Sequence, residues 1–259
     1  MDHKELVDKI TQEVMSRLEG IKKVQQESNS HSGPFISQSE LAGFIDHTLL
    51  KPDATKAQFD KLCDEAVQYK FYSVCVNSSW VPYVTKKLRG SGIKICAVIG
   101  FPLGAMDSRS KAFEASNAIE AGANELDMVI NVGSLKSKDY KLVEEDIRAI
   151  KRVCRKNTIL KVIIETVLLT DDEKVIACEI AKKAEADFVK TSTGFSGGGA
   201  TVADIMLMRR IVGPKIGVKA SGGIKEYNQA IALIQAGASR IGCGSSVAVI
   251  TGAKAQGNY

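Results

Sequence analysis

The chain has 259 residues, 44% hydrophobic and 25% charged, with a formal net charge of +5. That is enough apolar material for one large core or two small ones, and no run approaches the ~18 apolar residues of a membrane span. The basic excess is scattered, with no basic block, so it makes no case for nucleic acid and gives only a mild attraction for anions.

Residues 4–21 read as an amphipathic helix: Leu6, Val7, Ile10, Val14, Leu18 and Ile21 share one stripe about 120° wide, with charges opposite. An isolated helix of ~18 residues is marginal in water, so the stripe calls for a partner. Its own barrel, a second copy or another protein would each serve. Residues 22–38 are polar, contain Ser, Gly and Pro, and read as a linker. A compact domain is expected from about residue 39 to 250. The end, 251–259, is a small-residue tail closing on Tyr259 and is expected to be mobile.

Within 39–250 a strand-like run recurs every 20 to 35 residues: Phe44–Thr48, Tyr72–Val76, Lys94–Ile99, Glu125–Ile130, Ile159–Glu165, Asp187–Thr191, Ile216–Ala220 and Ser239–Cys243. Helix-like segments lie between them at 55–70, 79–90, 108–121, 139–156, 171–185, 201–212 and 225–236. Gly90, Gly122, Gly213 and Gly237 stand where helix C-caps favour glycine. Eight strands alternating with helices predict an α/β fold, an eight-stranded (β/α)8 TIM barrel. The rival, an open doubly wound sheet, would be expected to carry G-x-G-x-x-G in its first turn, which is missing.

Barrel chemistry sits at the carboxyl ends of strands. The polar residues there are Asp46 and Thr48, Cys75 and Asn77, Asp127 and Asn131, Glu165, Lys190, and Lys219 with Ser221. Period-two alternation puts Asp127 with Asn131, and Lys161 with Glu165, on shared faces. Metal ligands are scarce: His3 and His31 fall in the extension and linker, leaving His47 with no H-x-H or H-E-x-x-H companion. His47 reads better as a core or strand-end histidine than as part of a catalytic triad. The six cysteines form no C-x-x-C pair, which fits reduced cytosolic thiols.

Amine chemistry remains. A lysine must drop about three pKa units to be usefully neutral at pH 7, a cost of about 4 kcal/mol. A second ammonium ~5 Å away supplies roughly 3 kcal/mol at an effective dielectric of 20, and burial can supply the rest. Lys190 and Lys219 end consecutive strand-like runs, so either could be the imine-forming amine, with Asp127 as a proton shuttle. The glycines and serines after the seventh and eighth strands suit a phosphate. No cofactor is called for. Together these features suggest a Schiff-base lyase or aldolase acting on a sugar phosphate.

At these residues the chain resembles the deoxyribose-phosphate aldolases, class I enzymes without a cofactor. The motifs are Val-Lys-Thr-Ser-Thr-Gly at 189–194, Gly-Val-Lys-Ala-Ser-Gly-Gly at 217–223, Glu-Leu-Asp-Met-Val-Ile-Asn at 125–131, Ile-Asp-His-Thr-Leu-Leu at 45–50 and Val-Cys-Val at 74–76. The resemblance implies reversible cleavage of 2-deoxy-D-ribose 5-phosphate to D-glyceraldehyde 3-phosphate and acetaldehyde. It makes Lys190 the imine lysine, Lys219 the neighbour that depresses its pKa, and Asp127 an acid and base acting through water. Gly194, Gly222, Gly223, Gly244 and Ser245 would hold phosphate; Asp46, Thr193 and Cys75 would line the pocket; Tyr259 would assist proton transfer. Some relatives carry lysine where this chain has Phe195, which removes one expected phosphate contact.

The resemblance also implies a homodimer, and the reduced thiols place it in the cytoplasm. Residues 1–21 resemble the encapsulation peptides that bind shell proteins of bacterial microcompartments. Two alternatives stand beside this reading: another class I aldolase of the same barrel type, and a retired barrel kept as scaffold or cargo. Clustered buried charge argues against the scaffold.

Overall fold

The computed structural model describes residues 36–253. The helix expected at 4–21, most of the linker 22–38, and Tyr259 lie outside the described residues.

Eight strands close into a parallel barrel in chain order: β1 (Ile45–Leu49), β2 (Ser73–Asn77), β3 (Lys94–Ile99), β4 (Glu125–Val129), β5 (Ile159–Ile163), β6 (Phe188–Lys190), β7 (Gly217–Ser221) and β8 (Arg240–Cys243). A short α1 (Gln38–Ala42) precedes β1. Successive strands are joined through α2 (Lys56–Tyr69), α3 (Val81–Lys87), α4 (Ser108–Glu120), α5 (Val132–Lys136) with α6 (Tyr140–Val153), α7 (Asp171–Lys183), α8 (Val202–Val212) and α9 (Tyr227–Gln235); α10 (Ser246–Thr251) follows β8. This is the (β/α)8 barrel that the alternation predicts.

The expected 79–90 helix is divided: a 3-10 turn over Ser78–Trp80 leads into α3, whose Pro82 sits in the first turn, where its missing N–H costs nothing. Residues 36–38, expected to belong to the linker, pack on the barrel. Ile36 packs on the core, its carbonyl accepts from the Tyr227 hydroxyl at 2.7 Å, and Ser37 caps α1 through Glu40.

The strands divide the molecule into two chemistries. Outward residues such as Val74, Ala97, Leu126, Met128, Leu160, Val162, Val189, Val218 and Ile241 are buried beneath the helices and form the main hydrophobic shell. Each Val, Leu, Ile or Met among them contributes ~1.5–3 kcal/mol by leaving water. The inward positions are largely polar, and there the reactive groups gather.

Candidate active site

Register assembles the barrel interior. Asp127 on β4 pairs with Lys161 on β5, Lys190 on β6 with Lys219 on β7, and Lys219 in turn with Arg240 on β8. Period-two alternation turns these side chains inward together. A Cβ at Gly242 would lie 2.8 Å from the Lys219 Cε, so only glycine on β8 leaves room for that side chain to cross the interior.

Asp127 is the hub. Its Oδ2 accepts from Lys190 Nζ at 2.7 Å and from Lys219 Nζ at 2.8 Å; its Oδ1 accepts from Lys161 Nζ at 2.8 Å and the Cys96 thiol at 3.0 Å. Below it, Asp46 lies 2.5 Å from Lys219 Nζ and 2.8 Å from Arg240 Nη1, and takes the Ser73 hydroxyl at 2.6 Å. Glu125 lies 2.5 Å from Lys161 Nζ and 3.0 Å from Arg240 Nη1. The Arg240 guanidinium also stacks on Tyr72, 3.5 Å from the ring centroid. Four cations therefore face three carboxylates, all of them buried.

Burial alone would push Asp127 up, but Lys161, Lys190 and Lys219 outweigh it and hold the carboxyl well below the usual range. Burial likewise opposes the charge on Lys219, yet Asp127 and Asp46 hold this ammonium above the ordinary lysine range; Lys161 is raised in the same way, chiefly by Asp127. Lys219 is thus held charged. The simple estimate of two repelling ammoniums is modified here, because one carboxylate oxygen lies between Lys190 and Lys219 and offsets much of their repulsion. What survives is the imbalance of the whole cluster. Lys190 has a single carboxylate partner, whereas Lys219 has two and Lys161 has Asp127 and Glu125 at close range. It is also the least enclosed lysine, 3% exposed against 0% for the other two.

Not every polar strand end converges. Asn131 caps α5 by accepting from the Ser134 N–H; Asn77 donates to the Leu50 carbonyl; Thr48 and Ser221 donate to the carbonyls of Asp46 and Ser192. Glu165 follows β5 in the left-handed region, φ 58°, so it does not continue the Lys161 face. Its carboxylate instead accepts from the N–H and hydroxyl of Thr193 and the Ser196 hydroxyl, fixing the loop after Lys190. Sequence reasoning overlooked Glu125 and Arg240 and placed Lys161 without giving it a role. Their signal is a charged residue at an inward-phase position of a strand that is otherwise apolar.

The expected phosphate residues lie on three loops. Gly194, Gly199 and Gly222 meet backbone to backbone: a Cβ on Gly199 would sit 2.2 Å from the Gly222 carbonyl oxygen, and one on Gly222 would lie 2.9 Å from the Gly199 Cα. Gly223 faces open space, and Gly244 with Ser245 follows β8. Thr193 and Asp46 are both buried and already partnered, Asp46 one layer beneath Asp127. Cys75 is fully buried beside Cys96 in a small apolar patch with Leu50 and Val98, covered by Phe101. The Phe101 ring meets Phe195 edge-on at 5.2 Å. Among the described residues one group could offer three metal ligands, Cys75, Cys96 and Asp127, whose ligand atoms lie within 4.8 Å of one another. The lysines around Asp127 occupy its carboxylate and repel a dication there.

A family model described as DeoC/LacD family aldolase matches residues 41–253. The chain is 58% identical over 220 residues to a deoxyribose-phosphate aldolase of Streptococcus sanguinis, covering 85% of this chain and all of that one. It is 59% identical over 222 residues to one from a Geobacillus species, covering 86% and 100%. Among solved structures, a tetrameric deoxyribose phosphate aldolase from Aeropyrum pernix superposes with a TM-score of 0.78 at 34% identity, over 83% of this chain and 91% of that one. The chain belongs to the DeoC/LacD aldolase family and is an aldolase.

Proposed function

We propose that the reaction is reversible cleavage of 2-deoxy-D-ribose 5-phosphate to D-glyceraldehyde 3-phosphate and acetaldehyde, with Lys190 as the imine-forming amine. The observation that carries the assignment is the partner count: Lys190 has one carboxylate, whereas Lys219 is held charged by two.

The neutral Lys190 amine adds to the C1 aldehyde of the open-chain sugar, and a proton from solvent, relayed through water at Asp127, lets the carbinolamine hydroxyl leave as water and gives the protonated imine. A base removes the C3 hydroxyl proton, the C2–C3 bond breaks, and its electron pair moves into the enamine with the iminium nitrogen as sink. Glyceraldehyde 3-phosphate departs with the new carbonyl at the former C3. Protonation of the enamine carbon and hydrolysis release acetaldehyde and return the amine. Asp127, 2.7 Å from Lys190 Nζ, is placed to pass protons through a water. Lys219 keeps positive charge beside the nitrogen throughout.

The phosphate lies, on this reading, against backbone N–H groups of Gly194, Gly222, Gly223, Gly244 and Ser245. Residues 191–200 contain no lysine or arginine, and Phe195 turns its ring to Phe101. Discrimination against free 2-deoxyribose therefore rests on neutral donors and is correspondingly modest. The test is direct: incubate the protein with each sugar and measure acetaldehyde. Release from 2-deoxyribose 5-phosphate is the expected result. Release from neither sugar, with activity on another aldol, sinks the substrate assignment and leaves another class I aldolase.

The reading extends to a cytoplasmic enzyme that self-associates, as a dimer by the family resemblance, with the Aeropyrum pernix relative a tetramer. Tyr259 assists protonation of the enamine carbon, and its deletion should then slow deuterium entry from solvent into acetaldehyde. Residues 1–21 act as an address for a microcompartment shell protein, motivated by their apolar stripe and by lying outside the family match. Fused to a fluorescent protein, they should co-purify with shells; diffuse fluorescence would remove this role.

A further inference from the structure

His47 is the only histidine among the described residues, and it stands outside the catalytic cluster. Its β1 neighbours Asp46 and Thr48 alternate with it, so its ring points outward, between α2 and α10. Nε2 lies 2.9 Å from Glu65 Oε2 on α2, and Nδ1 lies 2.9 Å from Ser246 Oγ at the start of α10. Ser246 Oγ in turn donates to the Cys243 carbonyl at 2.9 Å. Ser246 Oγ thus links the Nδ1 edge of the ring to the Cys243 carbonyl. The His47 hydrogen bond helps hold the Glu65 carboxyl below its usual range, and an ionised Glu65 can only accept, so Nε2 donates to it. Lys61 stands 3.7 Å from the other Glu65 oxygen, and Phe71 lies against the ring at a centroid distance of 5.0 Å.

The chain between Cys243 and Ser246 is Gly244-Ser245, half of the phosphate site read above. A cavity of about 260 Å³ opens behind this turn, lined by His47, Glu65, Gly244, Ser245 and Val247 among others. Side-chain packing is therefore incomplete on that side, and the hydrogen bonds through Ser246 hold the turn in place.

We propose that His47 is a positioning residue that fixes the Gly244-Ser245 turn through Ser246 and thereby sets the affinity for the substrate phosphate. This rests on the phosphate reading given above. Two variants separate the ring's two bonds. Asparagine places an amide nitrogen near the position of Nδ1 and keeps the Ser246 link; glutamine reaches toward Nε2 and keeps only the Glu65 link. Steady-state constants would be measured on 2-deoxyribose 5-phosphate and on free 2-deoxyribose, with inorganic phosphate as inhibitor of the latter. His47→Gln and Ser246→Ala should raise KM for the phosphorylated sugar about tenfold and weaken phosphate inhibition by a like factor, with both constants for the free sugar unchanged. His47→Asn should stay within about twofold of the parent. Equal losses on both sugars, or Asn behaving like Gln, or no change in any variant, overturns the positioning role while the parent still prefers the phosphorylated sugar. A parent indifferent to phosphate overturns the phosphate reading and this proposal with it.

Discussion

Among the described residues, two places enclose lysine and carboxylate side chains almost completely, and they differ in balance. In the helix layer, Lys111 on α4 lies 2.6 Å from Asp146 on α6 and donates to the Val129 carbonyl at 2.9 Å, with side chains 0% and 2% exposed. One cation meets one anion, and the pair joins α4, α6 and the end of β4. Inside the barrel, Lys161, Lys190, Lys219 and Arg240 meet only Asp46, Glu125 and Asp127. A balanced pair would lose its attraction if either member lost its charge. A cluster with a cation in excess is relieved when one ammonium becomes neutral, and a neutral amine is what imine chemistry requires. Buried charge is common to both regions; unbalanced charge at the carboxyl ends of the strands belongs to one.

The comparison breaks most sharply at Lys190. Lys190→Leu should lower the cleavage rate by at least about 10⁴-fold, since the neighbouring amine, Lys219, is held charged by Asp127 and Asp46. Folding stability should hold, because the substitution leaves three cations facing three carboxylates. In the parent protein, borohydride with substrate should trap an adduct on Lys190, read by peptide mass. An adduct on Lys219, or a Lys190→Leu protein with measurable turnover, would reverse the roles of the two lysines.

Lys111 should give the opposite result. Lys111→Met leaves the Asp146 carboxylate buried without its partner, so stability should fall by about 3–5 kcal/mol in urea unfolding. Turnover at 25 °C should stay within about threefold of the parent, because Lys111 contacts no group of the reacting cluster. The double variant Lys111→Met with Asp146→Leu removes both charges and should recover most of the loss. Failure of the second substitution to restore stability would mean that Lys111 acts mainly through the Val129 carbonyl.

Much of this was legible in the sequence, for identifiable reasons. Parallel strands covered by helices read as apolar runs, so all eight strands fall within two residues of their expected ends. Lys190, Lys219 and Asp127 stand at the carboxyl ends of three such runs, and closing the barrel brings them together. The sequence hides partner identity. Glu165 and Asn131 look like Asp127 by position, yet one holds the loop at 193–196 and the other caps a helix. Lys161 was equally ambiguous: only barrel closure shows that it meets Asp127, Glu125 and Asp46 at once. A pairwise estimate for Lys190 and Lys219 could not include a carboxylate oxygen lying between them.

The smallest effect concerns Lys161, which sharpens the comparison by changing the imbalance without touching the amine. Burial pushes Asp127 up and three lysines pull it down, Lys161 foremost among them. A carboxyl depressed in the folded state contributes stability above its unfolded value of ~3.9, and that contribution is lost as pH falls through the lower folded value. Lys161→Gln keeps a donor on β5 and removes the charge, so the folded carboxyl should move back up toward the ordinary range. The carboxylate form is the one that can accept a proton through water, so the acid limb of kcat should shift to higher pH by about one unit. The acid unfolding midpoint should rise in the same direction. Lys161 itself is held above the ordinary lysine range, so its own contribution is present below ~10.4 and is lost only as pH rises beyond that. The alkaline limb of kcat should therefore not register the removal of this group. An acid limb that stays in place would mean that Lys190 and Lys219 alone keep Asp127 ionised, leaving Lys161 to neutralise Glu125 on the barrel floor.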